Sequence, residues 1–367
     1  MDDRVEYIDT AKGIGILLVV IGHVVYSNNY PLHGAATVCN FIYSFHMPLF
    51  FIISGLCIKE NKQLSFNTIK KMAKIYLIPY VVWSILYLLL FQVIFTVLKQ
   101  PTVFSFDDAH FAHAISICGL APLWFLLALF ISEAIVLIVK PILKNRGGYW
   151  ILCLLATITI ISSLWYESVN NISLIGRNWL IGTLRIAPTC FFVLLGYLLR
   201  EPIKKIDKLG KRQWFVIFVL IILQVILCWK WNECADVHVF IIGNPWLYFI
   251  KGINGSVLIL LVSKTIHVRL FYQLGRKTKE IMILHYPPFF YTRILGVLLG
   301  KVFAPNIIGL IIITIVTIMC CLMIDWICSK TSIWNFVMGK SKSTKNVIAA
   351  EKYNSGIRKK VRDKDDL

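Results

Sequence analysis

The chain has 367 residues, of which 58% are hydrophobic, and its mean hydropathy is +0.73. Soluble domains contain about 45–50% apolar residues, so this composition excludes an ordinary soluble globular protein. The net charge of +19 would suit a nucleic-acid partner, but the Lys and Arg residues lie between apolar runs. We therefore interpret them as determinants of membrane topology and expect no nucleic-acid partner.

Apolar runs long enough to cross a bilayer recur along most of the chain. A transmembrane helix needs about 20 residues to span a hydrocarbon core of about 30 Å. The runs are continuously apolar and do not alternate, which indicates helices and not the strands of a barrel. The sequence predicts an all-α integral membrane protein with ten transmembrane helices, at 11–29, 38–58, 75–98, 120–139, 149–165, 179–199, 214–229, 246–263, 281–299 and 305–328.

The basic residues between these spans predict their orientation. If the N-terminus is cytoplasmic, most of the 38 Lys and Arg residues fall on the cytoplasmic side, and the opposite loops hold only Lys99, Arg177, Lys230 and Lys301. The positive-inside rule therefore predicts that both termini are cytoplasmic. The first span lacks a small-residue cleavage site, so we expect it to be retained as a helix.

The chain divides into two predicted parts. Residues 1–330 form a membrane domain, and residues 331–367 form a basic, polar tail that is expected to be disordered. The ten cysteines are scattered. Because no Cys-x-x-Cys or Cys/His spacing is present, no metal site is expected.

The first helix carries two ionisable groups on one face. Lys12 and His23 are eleven residues apart, close to three turns, which places them about 16 Å apart along the helix. Asp9 lies one turn before Lys12 on the same side. This spacing suits a long ligand with an anionic head, such as an acyl-coenzyme A with phosphates at Lys12 and a thioester at His23. The alternative is that His23 only makes an interhelical hydrogen bond.

Further ionisable residues lie within the predicted spans. Each costs at least about 2.5–3.5 kcal/mol at the bilayer centre, so such residues are candidates for function. A basic, imidazole-containing cavity would explain them together, whereas local partners would explain each one separately. They are His23, His46, Glu133, Arg185, Lys251, His285, Arg293 and Asp325.

Several motifs resemble those of a known family. IDTAKGIGILLVVIGH (8–23) and SFHMPLFFIISG (44–55) are similar to the opening of membrane-bound acyltransferase family 3 proteins, in particular the fucose 4-O-acetylase-like branch that modifies bacterial surface polysaccharides. PLWFLLALFISE (122–133) and ILHYPPFF (283–290) add support. The resemblance covers about residues 4–328, and relatives share a basic residue, ten others and then histidine in the first helix.

The resemblance implies transfer of an acyl group, usually acetyl, from acyl-coenzyme A to a sugar hydroxyl of a glycan or its lipid-linked precursor. It implies a multi-pass protein of the bacterial cytoplasmic membrane, with acetyl-coenzyme A as co-substrate and no bound cofactor. The family's essential histidine corresponds to His23, and its basic partner to Lys12. A basic pair in the family corresponds to Lys71 and Lys74, where many relatives have arginines.

The remaining candidates follow from chemistry. His23 is predicted to be the general base, or less favourably a transient acyl carrier, and His46 is the second catalytic candidate. Asp9 joins the predicted donor site with Lys12, Lys71 and Lys74. Residues predicted to hold the acceptor or the oxyanion are Glu133, Arg185, Lys251, Arg293 and Trp124. A transporter or flippase, or an assembly partner for glycan export, is the rival interpretation.

Overall fold

The computed structural model describes residues 5–26, 34–97, 109–143, 146–169, 172–206, 210–286 and 306–340. Within these residues the chain is helical and contains no strand, apart from one isolated bridge between Asp236 and Ile241. The helices are α1 (Glu6–Tyr26), α2 (Ala35–Tyr43), α3 (His46–Cys57), α4 (Phe66–Val97), α5 (Ala109–Ile115), α6 (Trp124–Val139), α7 (Gly147–Glu167), α8 (Leu174–Leu184), α9 (Ile186–Lys205), α10 (Lys211–Lys230), α11 (Pro245–Thr265), α12 (Arg269–Arg276), α13 (Thr278–Leu284), α14 (Ile307–Cys328) and α15 (Ser332–Val337).

The predicted membrane architecture is confirmed. In the part of the chain that is described, nine stretches of helix are long and apolar enough to cross a membrane, and they overlap every predicted span except 281–299. That span lies mostly outside the described residues, so the tenth helix remains a prediction. The cytoplasmic placement of the termini also remains a prediction. The protein is an all-α, multi-pass integral membrane protein.

Two of the spans are broken by proline. A proline lacks the N–H for an i to i−4 hydrogen bond, and its ring clashes with the carbonyl four residues earlier. The ring of Pro48 would clash with the carbonyl of Ser44 in a continuous helix, and the span is interrupted at residues 44–45, between α2 and α3. Pro188 has the same relation to the carbonyl of Leu184, and the second interruption lies at Arg185, between α8 and α9. In each case the interruption lies about one turn before the proline.

Helix α1 packs tightly against α12 through two glycines. A Cβ atom added to Gly13 would lie 1.9 Å from the carbonyl oxygen of Phe271, and one added to Gly275 would lie 1.7 Å from that of Asp9. Small residues permit this close backbone approach between membrane helices. The packing fixes the N-terminal half of α1 beside the segment that leads into α13.

The folded part of the chain continues past residue 330. Helix α15 lies in the region assigned above to a disordered tail, yet Trp334 is buried and donates its Nε1–H to Asp325 at 2.8 Å. Asp325 also accepts from Lys277 at 2.6 Å. These contacts correct the predicted boundary for residues 331–340, whereas 341–367 lie outside the described residues.

Candidate active site

A cavity of about 190 Å³ lies beside the C-terminal half of α1. We call it the histidine cavity because three histidines line it. Among the described residues, aromatic and apolar side chains form most of the rest of its wall, and one carboxylate, that of Asp236, faces it. Its polar and aromatic lining includes His23, Tyr43, His46, Trp124, Asp236, His238 and Tyr286.

His23 is paired with a second histidine from the far end of the chain. Its Nδ1 lies 2.8 Å from Nε2 of His285, and the two rings stack with centroids 4.9 Å apart and an interplanar angle of 20°. His285 follows directly after α13 and is itself buried. Prolines at 287 and 288 follow it, and residues before proline are disfavoured in helical conformation, which explains why α13 ends here.

The hydrogen bonds assign the tautomers of this pair. His285 Nδ1 lies 2.9 Å from the carbonyl oxygen of Ile281, which can only accept, so Nδ1 of His285 carries the hydrogen. In the neutral ring the lone pair is then on Nε2, and Nδ1–H of His23 donates to it. The lone pair of His23 is therefore on its own Nε2. His285 thus holds His23 in the tautomer that a general base requires, as a third group does in catalytic triads.

His46 is held in a similar way at the break in the second span. It is the first residue of α3, and its Nδ1–H donates to the Ile42 carbonyl at 2.9 Å across the break. Its Nε2 therefore bears the lone pair when the ring is neutral. The ring of Tyr43 lies 4.7 Å from that of His46. Both predicted catalytic histidines therefore line one cavity, each with the lone pair of its neutral ring on Nε2.

A second, larger cavity of about 590 Å³ lies beside the N-terminal half of α1. We call it the basic cavity because its described wall carries four basic residues, Lys12, Arg276, Lys279 and Lys340, against three acidic ones, Asp9, Glu133 and Glu280. Lys340 pairs with Glu280 at 2.7 Å. Burial lowers the pKa of Lys279 to about 8, which indicates an ammonium group that is poorly compensated by solvent. Such a group gains more than an exposed lysine from an anionic ligand.

The two cavities share part of their walls. Phe50, Phe125, Thr278 and Met282 line both. We call these four residues the neck. Because α1 is unbroken from Glu6 to Tyr26, Lys12 lies on the basic cavity and His23 on the histidine cavity of the same helix. The predicted placement of a cation and an imidazole along one helix is present in the structure.

Only two of the four residues predicted to bind the acyl donor line the basic cavity. Asp9 and Lys12 line the basic cavity, and Lys12 Nζ lies 3.5 Å from Asp9 Oδ1. Lys71 is exposed and Lys74 is half-buried, and neither is among the described residues that line this cavity. The structure therefore brings Asp9 and Lys12 together with Arg276, Lys279 and Lys340 and leaves Lys71 and Lys74 apart.

Glu133 lies on the basic cavity and not with His23. Its Oε1 accepts from Ser54 and from Tyr76, both at 2.6 Å, and its Oε2 lies 3.4 Å from Lys62 Nζ. These bonds tie α6 to α3 and α4. The sequence grouped Glu133 with the acceptor residues, whereas the structure places it at the other end of the cavity system.

Arg185 occupies the break between α8 and α9 and holds two outlying segments. Its guanidinium donates to the carbonyls of Ile117 at 2.7 Å, Cys118 at 2.5 Å and His238 at 3.1 Å. It also lies over the Trp124 ring, 4.8 Å from the ring centroid. Arg185 is 2% exposed. These contacts fix the positions of the segments that bear Trp124 and His238.

The other predicted acceptor residues have three different positions. Lys251 is buried and donates to the carbonyl of Trp231, away from the lining of the histidine cavity. Trp124 does line that cavity and stacks on His238, with centroids 5.7 Å apart. Arg293 lies outside the described residues.

One group of side chains has the composition of a metal site. His113, Cys118 and His238 each bring one potential ligand atom within 4.8 Å of the others. Sequence spacing gave no sign of this group because the chain brings it together from distant segments. The histidine rings already bond to carbonyls, His113 to Ala109 at 2.5 Å and His238 to Gly119 at 3.3 Å. A soft divalent cation such as Zn²⁺ is the type of ion that these donors suit.

Several residues on the two cavities were not among the predicted site residues. His285, which bonds to His23 beside the histidine cavity, was recognisable as an ionisable group within a predicted span, but its pairing with His23 was not. Asp236 and His238 sit in a polar loop with no periodic signal. Arg276, Lys279 and Lys340 resemble ordinary topology-determining charges in sequence, and only the fold shows that they face a cavity.

These features together define a class of protein: a polytopic membrane protein with a histidine pair beside a cavity between its helices. The family model described as "Acyltransferase domain", that of acyltransferase family 3, matches residues 5–326. The chain belongs to this family and is a membrane acyltransferase. No curated protein and no solved structure gives a significant match.

Proposed function

We propose that the protein transfers an acetyl or other small acyl group from acyl-coenzyme A to a sugar hydroxyl of a bacterial surface polysaccharide or its lipid-linked precursor. The observation that carries this proposal is the junction of the two cavities, with basic residues at one end and the His23–His285 pair at the other. The motif resemblance favours the fucose 4-O-acetylase-like branch, in the bacterial cytoplasmic membrane.

The basic cavity is the proposed donor site. Coenzyme A carries phosphates, and lysine and arginine are the usual protein groups that bind them. Lys12, Arg276, Lys279 and Lys340 would contact the phosphates, and the pantetheine arm would pass the neck towards His23. Lys12 and His23 are about 16 Å apart along α1, so the reactive thioester and the charged head are held at different ends of one helix.

His23 is the proposed general base. Its Nε2 takes the proton from the sugar hydroxyl as the hydroxyl oxygen attacks the thioester carbonyl carbon. When the tetrahedral intermediate collapses, the carbon–sulfur bond breaks and the proton passes from His23 to the leaving thiolate. The products are the sugar ester and free coenzyme A. A positioned base of this kind contributes typically about 10²–10⁴ in rate.

His285 and His46 have separate proposed roles. His285 accepts the Nδ1–H of His23, and this bond strengthens when His23 becomes positively charged. His285 touches no reacting atom and is a positioning residue. His46 is the second candidate base, because its lone pair is also on Nε2. Tyr43 and Tyr286 bring phenolic hydroxyls to the same cavity, where a hydrogen-bond donor would stabilise the oxyanion of the tetrahedral intermediate.

Acyl transfer in isolated membranes tests the proposal. Membranes that contain the protein are incubated with radiolabelled acetyl-coenzyme A and the surface glycan, beside His23→Ala and a matched His267→Ala control. His267 is an exposed histidine near Glu6. We expect label in the glycan with the wild type and the control, and a loss of at least about 10²-fold with His23→Ala. Equal labelling by wild type and His23→Ala would contradict the assignment of His23. A glycan that keeps its esters but is lost from the cell surface on gene deletion would point to transport.

A further inference from the structure

Asp236 presents a fixed carboxylate to the histidine cavity. It precedes a short 3₁₀ turn at Val237–Val239, and its Oδ1 accepts the backbone N–H of His238 at 2.9 Å. Its own carbonyl accepts from the N–H of Ile241 at 2.9 Å. The residue is half-buried and lines the cavity.

The two described cations that were predicted to hold the acceptor, Arg185 and Lys251, donate to backbone carbonyls. The guanidinium of Arg185 donates to Ile117, Cys118 and His238, and Lys251 donates to Trp231. Among the described residues that line the histidine cavity, none is a lysine or an arginine. The part of this wall that the structure describes therefore carries one potential negative charge and neutral imidazole, phenol and apolar groups.

The described wall of the basic cavity has a positive balance of charged side chains, since it carries four cations against the three carboxylates of Asp9, Glu133 and Glu280. A negatively charged group would be attracted to the Lys12 end of the cavity system and repelled at the Asp236 end. Charges of like sign that are brought together in a binding site repel each other and weaken binding. The hydroxyls of a neutral sugar, in contrast, donate hydrogen bonds to a carboxylate, which can accept several.

On the basis of the function proposed above, we propose that the acceptor is an uncharged sugar unit, whose hydroxyls bind Asp236, and that uronates and sugar phosphates are rejected at this position. Asp236 is then the residue that determines acceptor specificity. This replaces the expectation that Arg185 and Lys251 hold anionic groups of the acceptor, because both side chains are occupied elsewhere.

A pair of matched acceptors tests this inference. One is a neutral hexose glycoside, and the other is the corresponding uronate, which differs only in carrying a carboxylate in place of the terminal hydroxymethyl group. Purified protein in lipid nanodiscs is given radiolabelled acetyl-coenzyme A, and the ratio of kcat/KM for the two acceptors is measured at pH 7.5. We expect the wild type to favour the neutral acceptor by at least about tenfold.

Two variants assign the discrimination to Asp236. Asp236→Asn keeps the shape and removes the charge, so the ratio should fall towards one. Glu233→Gln is the matched control, since Glu233 is an exposed acid of the same loop that accepts from the Asn244 N–H at 2.7 Å, and its ratio should stay at the wild-type value. An unchanged ratio in Asp236→Asn would overturn the role of Asp236.

The outcomes separate the two proposals. Equal use of both acceptors by the wild type would overturn the inference on the acceptor and leave the proposed acyl transfer intact. Label in neither acceptor, nor in isolated surface glycan, would overturn the proposed function and this inference with it. The wild-type ratio alone decides whether the acceptor is uncharged. A poorly folded Asp236→Asn variant therefore does not prevent a result on the acceptor.

Discussion

Nδ1 of His23 and Nε2 of His285 lie 2.8 Å apart, although 262 residues separate them in the chain. The bond joins the first helix to the residue that follows α13. The Ile281 carbonyl fixes the hydrogen on Nδ1 of His285. In the hydrogen bond between the two rings, His23 is therefore the donor and His285 the acceptor. A change at His285 is therefore transmitted to the basicity and orientation of His23.

Replacement of His285 should reduce turnover without weakening substrate binding. In His285→Ala, Nδ1 of His23 loses its acceptor, and we expect kcat to fall by about 10–10² with little change in KM for either substrate. His285→Gln offers an amide oxygen as acceptor and should recover part of the loss. Steady-state kinetics and the pH profile of kcat check this. A loss confined to KM would contradict the positioning role.

Binding of the donor should weaken as the pH rises through 8. Burial lowers the pKa of Lys279 to about 8, so the ammonium is charged below this pH and neutral above it. The KM for acyl-coenzyme A should rise by several-fold between pH 7 and pH 9. Lys279→Arg keeps its charge at these pH values and should flatten the profile.

A lysine away from both cavities serves as the control for this pH effect. Lys330 lies over the Trp326 ring at 4.5 Å and is not among the described lining residues. Lys330→Arg should show the wild-type pH dependence. A profile that stays steep in Lys279→Arg would assign the titration to another group.

Arg185→Lys should destabilise the protein and disturb the acceptor end. An ammonium cannot match the planar set of donors with which Arg185 reaches the carbonyls of Ile117, Cys118 and His238. Each buried carbonyl left without a donor costs about 1–3 kcal/mol, so a clear fall in Tm is expected. Thermal unfolding in detergent measures it. Arg177→Lys, at an exposed arginine that contacts Tyr166, should leave Tm unchanged.

Gly275→Ala should separate α12 from α1. The added Cβ would lie 1.7 Å from the Asp9 carbonyl oxygen, so the backbones must move apart and displace the donor end of α1. We expect a lower Tm and a raised KM for acyl-coenzyme A. In the control Gly148→Ala, the new Cβ meets the Leu198 side chain at 3.0 Å, which can rotate. A Gly275→Ala protein with the wild-type Tm would contradict the close packing.

The sequence predicted those features that depend on a single segment. The membrane spans follow from apolar length, and the Lys12–His23 spacing follows from the pitch of one helix. The pairing of His23 with His285 was not predictable, because it depends on how distant helices pack. Arg185 and Lys251 look like anion-binding residues in sequence, but each finds backbone carbonyls that are exposed by breaks and loops in the fold.

The position of Glu133 and the C-terminal boundary also depend on how distant segments pack. Glu133 lies in a span whose depth can be estimated, but the direction in which its side chain points was not known from sequence. Residues 331–340 were assigned to a tail together with the basic segment that follows them, although half of them are apolar. They fold because Trp334 finds both an apolar site and the carboxylate of Asp325, a combination that composition does not reveal.

The neck has a consequence for the order in which substrates bind. On the proposed function, the donor belongs to the Lys12 side of Phe50, Phe125, Thr278 and Met282, and the acceptor to the His23 side. Neither substrate then occupies the path of the other, and free coenzyme A does not have to leave before the esterified sugar. The enzyme would work through a ternary complex assembled in either order, with no acyl group stored on the protein between two half-reactions.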